Sequence, residues 1–328
     1  MDSEKPTLRP ILLSGIKPTG DLHIGNYFGA MRQQVDLFKS GDYQCFIMIA
    51  DYHALNTVQN AAEMRQLTLD LATAYMAVGL NPDELVLFKQ SDVPAHTELA
   101  WIFDTITTMP YLMRAHAFKD AESKSKEISV GTFNYPMLMA ADILLYDTKI
   151  VPVGQDQKQH IEYARDTAEK FNRIFATTSE TDDTFVLPEA HIMPDVAVVP
   201  GIDGQKMSKS YGNTIPLFAP RKIIEEKVMG IVTDSSGDRP ENVYAIHRLL
   251  KTEAELAPLY EEHKGKYKAL KDALVEDLDF FIAPMRERYE ELKKNPEVVL
   301  EALKKGGEQA REVAETKMMQ VRKAVGVV

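Results

Sequence analysis

Ser14-Gly15-Ile16-Lys17-Pro18-Thr19-Gly20-Asp21-Leu22-His23-Ile24-Gly25-Asn26 is the stretch that decides how this chain is read. The apolar run Ile11-Leu12-Leu13 ahead of it predicts a buried strand. Behind it, Ile24, Phe28, Met31, Val35 and Phe38 recur at steps of four and three, which predicts a helix. The stretch is therefore a strand-to-helix loop carrying Gly15, Gly20 and Gly25. Glycine lets a backbone approach a ligand closely. A helix start offers unpaired N–H groups and partial positive charge to a phosphate. His23 and Asn26 fall one turn apart at that start, so both can face the same ligand. A tight turn with a packing histidine is the plainer account of the same residues.

Far along the chain stands a second stretch, Gly204-Gln205-Lys206-Met207-Ser208-Lys209-Ser210. Together the two resemble the paired signatures of class I aminoacyl-tRNA synthetases, His-Ile-Gly-His and Lys-Met-Ser-Lys-Ser. The second is matched at all five positions. The first departs at its last position, where Asn26 stands in place of histidine, a variant familiar in the tryptophanyl branch.

Composition sets the outer bounds. The 328 residues suffice for one large or two medium domains with a real core. Apolar runs stay well short of the roughly 18 residues of a membrane span. The start of the sequence, Met1-Asp2-Ser3-Glu4-Lys5-Pro6, has no basic region followed by an apolar stretch, so no secretory signal is expected. Cys45 is the single cysteine, which excludes an internal disulfide and any four-cysteine metal site, and its apolar surroundings predict a core thiol. A cytosolic setting fits. The net charge of −11 gives no bulk attraction for nucleic acid, so an RNA partner would need local basic patches.

Taken in order, Tyr43–Asp51 predicts a second strand that leads into Tyr52-His53. Asn60 is placed to cap a helix carrying Met64, Leu67, Leu71, Tyr75 and Val78, with Gly79 to end it. Leu85–Phe88 predicts a third strand, and Pro94 opens a helix through Trp101. Alternating strands and helices imply a parallel sheet covered on both faces, with ligands at the carboxyl ends of its strands. That brings His53 near His23, although a surface-loop histidine reads equally from sequence. Residues 119–131, with Lys119, Lys124 and Lys126 among acidic residues and serines, read as a mobile polar loop, or as a lid near a polyphosphate.

Tyr135–Tyr146 predicts a helix with Pro136 in its first turn. The segment is nearly all apolar except Asp142, and a charge is rarely buried without a partner. Either Asp142 is structural, paired with an arginine elsewhere or capping a nearby helix, or it awaits a ligand donor, with Met139 one turn earlier on the same face. Ile150–Gly154 predicts a further strand feeding a helix from Gln155, in which Asp156 either suits the helix dipole or meets a ribose hydroxyl. His160, one turn in, reads as structural. Residues 176–195 read as loop, and Val196–Val199 as a short strand before the Lys206–Ser210 loop. Beyond Pro216 only helical stripes remain: Val243, Ile246 and Leu250; Tyr267, Leu270, Leu274, Leu278 and Phe281; and a last region from Pro296 through Leu303, interrupted at Gly306-Gly307 and resumed by Val313 and Val321. The expected organisation is α/β, a Rossmann-like catalytic domain over 1–216 and an all-helical domain over 217–328. The last helix has the option of packing back on the first domain.

The resemblance is close to the tryptophanyl branch over nearly the whole chain. It is carried also by Asp51-Tyr52-His53, Val93-Pro94-Ala95-His96, Leu138–Tyr146 and Val151–His160. It implies a two-step ligase that activates L-tryptophan with ATP and transfers it to its tRNA, with Mg²⁺ travelling on the ATP. By that likeness Lys17, Pro18, Thr19, Gly25 and Asn26 meet ATP, Gly154, Gln155 and Asp156 its ribose side, and Val198 or a neighbour the adenine. Lys206, Met207, Ser208, Lys209 and Ser210 close on the phosphates, so that His23, Asn26, Lys206 and Lys209 serve the reaction. Asp142 accepts the indole N–H, with Gly15, Met139, His53, Ile143, Val153 and Gln157 around the ring. The 119–131 lysines are not spaced as in the best-known members, and no phosphate contact is assigned to them. The helical domain is expected to meet the anticodon, and the protein to be a homodimer without membrane contact, the helix bearing Trp101, Ile102 and Phe103 offering part of an interface or ordinary core. The rival readings are a tyrosyl-tRNA synthetase, a non-enzymatic RNA-binding relative and a small-molecule adenylyltransferase. A single aspartate in an apolar segment suits an indole N–H better than a phenol.

Overall fold

The computed structural model describes residues 9–18, 20–123, 127–154, 158–175, 183–192, 198–233 and 239–328. Strand β1 (Ile11–Ile16) leads through the glycine loop into a helix in three parts: α1 (Ile24–Asn26), a π-helical turn (Tyr27–Met31) and α2 (Arg32–Lys39). The expected stripe holds through the π turn, for Ile24, Phe28, Met31, Val35 and Phe38 are all buried. There follow β2 (Gln44–Ile49), α3 (Asp51–Ala54), α4 (Ala61–Ala77), β3 (Val86–Lys89) and α5 (Ala95–Ile106). Asn60 caps α4 as its sequence position suggests, Oδ1 accepting from Ala62 N and Glu63 N at 2.9 and 3.0 Å. Gly79, with φ +106°, follows the end of that helix.

After α6 (Met109–Leu112) and α7 (His116–Ser123) comes α8 (Val130–Leu144), then β4 (Ile150–Val153), α9 (Lys158–Phe175) and β5 (Glu189–Ile192). Four sequence expectations are corrected here. Pro136 lies inside α8 and not at its start, because Ser129 caps the helix nearly two turns earlier, its hydroxyl accepting from Thr132 N. The 119–131 stretch is helical at both ends, up to Ser123 and again from Val130, with 124–126 outside the described residues. The fifth strand is Glu189–Ile192, within the stretch read as loop. It is an edge strand with most of its side chains exposed, so it carries no apolar signal. Val198 and Val199 are irregular, and 193–197 lie outside the described residues.

The five strands are all parallel in the order β3-β2-β1-β4-β5. The order reverses direction between β1 and β4, where a doubly wound sheet opens its ligand crevice. Both faces are covered, which explains the near-continuous apolar run of β2. Leu12, Cys45, Ile47 and Ile49 point into one layer, Leu13, Phe46 and Met48 into the other. Cys45 is a buried thiol as expected, and burial pushes its pKa up to about 11.

Beyond Pro216 the described residues hold only helices: α10 (Arg221–Met229), α11 (Glu241–His247), α12 (Glu253–Glu262), α13 (Tyr267–Lys294) and α14 (Pro296–Val325). The break expected at Gly306-Gly307 does not occur. Helix α14 runs straight past the edge strand β3 at that point, and a Cβ built on Gly306 would overlap the Leu87 carbonyl oxygen and stand 2.6 Å from its carbon. The pair of glycines is there for close approach, and tertiary contact outweighs their low helix propensity. On either side of the crossing, Val299 and Leu303 join one core layer, Ala310, Ala314, Met318 and Val321 the other. Helix α14 thereby closes the β3 edge of the sheet. Leu274, Leu278 and Ile282 of α13 share their layer with Leu12 and Phe28.

Candidate active site

The loop after β1 reverses at Gly20, whose φ of +85° suits glycine and few other residues. His23 is the N-cap of α1, and Asn26 Oδ1 accepts from His23 N at 3.1 Å, which closes the helix start. Gly25 has no room for a side chain: a Cβ there would stand 2.9 Å from His23 Nδ1 and 3.2 Å from Met207 Cβ. That second contact joins the two signature stretches. The backbone joins them as well, Ile24 N donating to Ile215 O at 3.0 Å and Leu217 N to Leu22 O at 2.9 Å.

The second loop hangs from buried Met207 and from Asn213. Ser208 N donates to Asn213 Oδ1 at 2.8 Å, while Asn213 Nδ2 donates to Asp203 Oδ1 at 2.7 Å and Lys206 O at 3.1 Å. Gly201 packs so tightly on that amide that a Cβ would overlap it. Asn213 was missed from sequence; a lone asparagine after Ser210-Tyr211-Gly212 signals only a turn. Lys206, Lys209 and Ser210 are exposed, Ser208 is half-buried, and the Ser208 and Ser210 hydroxyls are 2.8 Å apart.

Charge gathers between the loops. Lys209 Nζ comes within 3.4 Å of where a Gly20 Cβ would be. Lys17 and Lys209 keep contact with water but are hemmed in by protein, and this partial loss of solvent lowers both ammonium pKa values, Asp21 opposing the effect at Lys209. Burial, and then the charge of Lys209, bring His23 down to about 4, so its imidazole is neutral at pH 7. His23 Nδ1 is buried with no hydrogen-bond partner among the described residues. The Lys209 ammonium, a glycine backbone at positive φ and an orphan ring nitrogen together suit a polyphosphate. Pro18 is buried beside Lys17, and Thr19 lies outside the described residues.

On the far side of β1, Asp142 is 2 % exposed in α8. Among the described residues no arginine pairs with it, and the carboxylate is not without donors. His53 Nε2 lies 2.8 Å from Oδ2, and Gln90 Nε2 donates to Oδ1 at 2.8 Å. His96 Nδ1 is 2.7 Å from Oδ1, within ion-pair distance although not in line for a regular hydrogen bond. Burial alone would raise this carboxyl pKa, but the His53 hydrogen bond and the His96 charge outweigh it and hold the group at about 2. Gln90 and His96 were missed, His96 being quoted only within a resembling segment. They come from the 3-10 turn after β3 and from the first turn of α5, and only the fold brings them to α8.

Met139 stands one turn before Asp142 and is half-buried, as is Val153 at the end of β4. Ile143 is buried in a core layer. Gly15 lies against Met48, with 3.2 Å between its would-be Cβ and Met48 Cε. Tyr135, also unassigned from sequence, hydrogen-bonds His160 and sets its ring edge-on to His53 at 6.2 Å. His160 is thus tied to its neighbour, in line with a structural part. Gly154 and Val198 are exposed; Gln155, Asp156 and Gln157 lie outside the described residues. Among the described residues no group of three or more His, Cys, Asp or Glu is placed to hold a metal ion.

Residues 5–304 match the model of the tRNA synthetases class I (W and Y). A tryptophan–tRNA ligase of Fusobacterium nucleatum is 44% identical over 324 residues, covering 96% of this chain and 98% of that protein. One from Campylobacter jejuni is 42% identical over 325 residues, covering 96% and 99%. The crystal structure of tryptophanyl-tRNA synthetase from Campylobacter jejuni complexed with ADP and tryptophan superposes with a TM-score of 0.88 at 41% identity, covering 96% of this chain and 99% of that one. With a parallel sheet, two signature loops joined at Gly25 and Met207, and matches of this length, the chain belongs to the class I tRNA synthetases of the tryptophan and tyrosine group.

Proposed function

We propose that this protein is a tryptophan–tRNA ligase. It activates L-tryptophan with ATP to tryptophanyl-adenylate and pyrophosphate, then transfers the tryptophanyl group to the terminal ribose of its tRNA. The observation that carries the choice of tryptophan is Asp142, a buried carboxylate held ionised for a ring N–H. Its relatives are named for that activity.

In the first step the tryptophan carboxylate attacks the α-phosphate and pyrophosphate leaves. No protein nucleophile is required, so positioning and charge stabilisation dominate. Lys17, Pro18, Thr19, Gly25 and Asn26 take the phosphates and adenosine from one side, Gly154, Gln155 and Asp156 the ribose, and Val198 the adenine. Lys206 to Ser210 close from the other side, with Lys209 meeting the leaving pyrophosphate. His23, neutral and short of one partner, supplies a hydrogen bond and not a charge. Around the indole stand Gly15, His53, Met139, Ile143, Val153 and Gln157. Mg²⁺ screens phosphate charge when bound and is held by the phosphates and water.

The helices after residue 216 are assigned to the anticodon arm of the tRNA. A second copy of the chain is assigned to the face bearing Trp101, Met109 and Val130, which are 70%, 67% and 80% exposed. Phe103 takes no part, being wholly inside its own core. No helix among the described residues is long and apolar enough to cross a membrane, and the proposed setting is the cytosol. The test is transfer of labelled tryptophan to tRNA. Acid-stable label on the RNA supports the reading, whereas adenylate formation with uncharged RNA would leave a small-molecule adenylyltransferase.

A further inference from the structure

Both oxygens of Asp142 have protein donors, but unequally. Among the described residues, Oδ1 is met by Gln90 Nε2 at 2.8 Å and by His96 Nδ1 at 2.7 Å, Oδ2 by His53 Nε2 alone at 2.8 Å. An ionised carboxylate has about four acceptor sites, two on each oxygen. Oδ1 takes the Gln90 hydrogen bond and lies in charge contact with His96, while Oδ2 keeps one site, so the two groups on Oδ1 decide where that remaining site points.

Each of those donors is itself fixed. Gln90 is 0% exposed, and its Oε1 accepts from His53 N at 3.3 Å. Turning the amide over would set its oxygen against the carboxylate and its NH₂ against an N–H, so one orientation alone satisfies both neighbours. His96, also wholly buried, stacks on Phe88, and its Nε2 lies 2.8 Å from the Tyr146 hydroxyl. Burial and then the Asp142 charge raise the Tyr146 pKa, so it remains a phenol against Nε2, and Nδ1 is the ring nitrogen that faces Asp142. Phe46 and Phe88 pack on Tyr146, and the network is dry.

We propose that Gln90 and His96 are positioning residues for amino-acid selection, aiming the open site of Asp142 Oδ2 at the substrate's ring N–H. This rests on the reading of Asp142 as the acceptor of that N–H. Gln90 grips the His53 backbone as well as Asp142, so both groups are held by one amide. Neither Gln90 nor His96 touches the substrate in this account.

The test compares tryptophan with its analogue bearing sulfur in place of the ring nitrogen, by ATP–pyrophosphate exchange in the full-length enzyme. Gln90→Met keeps the volume and removes the donor. It should raise the KM for tryptophan about tenfold or more, the loss of a hydrogen bond to a charged group, while KM for the analogue and kcat for both move little. His96→Phe should act in the same direction. His96→Asn, whose amide nitrogen takes the place of Nδ1, should restore most of the preference. A packing role would change both substrates alike, and ATP KM and melting temperature report any failure to fold. Asp142→Ala is run in parallel. If it loses the preference while Gln90→Met and His96→Phe keep it, positioning by these residues is refuted and Asp142 stands. If Asp142→Ala keeps the preference, the underlying reading falls and the proposal with it.

Discussion

A Cβ on Gly20 would stand 3.4 Å from the ammonium of Lys209. The two residues come from opposite ends of the α/β unit, one on the loop after β1 and one on the loop before Pro216, yet they border the same space. Positive charge is thus delivered to a turn where φ is +85° and no side chain intervenes.

Lys209→Ala should reduce the rate of adenylate formation roughly 10²-fold or more, the size of losing one charge-stabilising donor. ATP affinity should change much less, because the developing charge on the leaving group is what the lysine meets. Single-turnover kinetics over a range of ATP separates the two. A loss confined to ATP binding, with the maximal rate intact, contradicts this role.

The acid limb of stability should carry the mark of His23. Its folded pKa is about 4 against 6.5 for an ordinary histidine, so the unfolded chain binds a proton between those values that the folded protein refuses. The contribution is therefore complete above pH 6.5 and is lost as pH falls toward 4, with a slope of at most about 1.4 kcal/mol per pH unit. Urea unfolding of wild type and His23→Ala at pH 7, 6, 5 and 4 should show the wild type losing stability more steeply. Parallel curves would mean that the imidazole protonates as readily in the folded state.

Gly306→Ala tests how α14 covers the sheet. The new methyl would collide with the backbone of Leu87, which has no rotamer to yield. A loss of about 3 kcal/mol is expected, at the upper end of overpacking costs. It should appear as a lower urea midpoint at unchanged slope. An unchanged midpoint would mean that the helix shifts off β3 at little cost.

Those glycines show where sequence reading ran out. A Gly-Gly pair reads as a helix break by propensity, and only the approach of Leu87 explains it as a contact. Strand β5 escaped because Glu-Ala-His-Ile on an exposed edge has no apolar pattern. Gln90, His96 and Tyr146 escaped because their meaning arises only when the stretches around His53, Gln90–His96 and Asp142–Tyr146 meet. What could be read was local: the strand-loop-helix at Gly15–Asn26, the buried stripe of the first helix, the Asn60 cap, and an aspartate standing out in an apolar run. The parallel sheet also followed from local alternation, since strand–helix–strand order leaves few topologies.

Asp142→Ala should weaken tryptophan binding and narrow the preference for tryptophan over phenylalanine. Phenylalanine has no ring donor and would leave the aspartate short of one bond, so a site built to hydrogen-bond a substrate rejects it strongly. A charged hydrogen bond contributes about 1.5–3 kcal/mol, which sets the expected change in the ratio of kcat/KM. ATP KM should stay near the wild-type value, because Lys17 and Lys209 lie on other loops. An unchanged ratio would make Asp142 a purely structural charge.

Whether this site activates tryptophan is read from ATP–pyrophosphate exchange with each of the twenty amino acids in turn. Exchange should be driven by tryptophan, with tyrosine near background. Exchange driven by tyrosine and not by tryptophan would contradict it, and would place the chain in the other branch of its family.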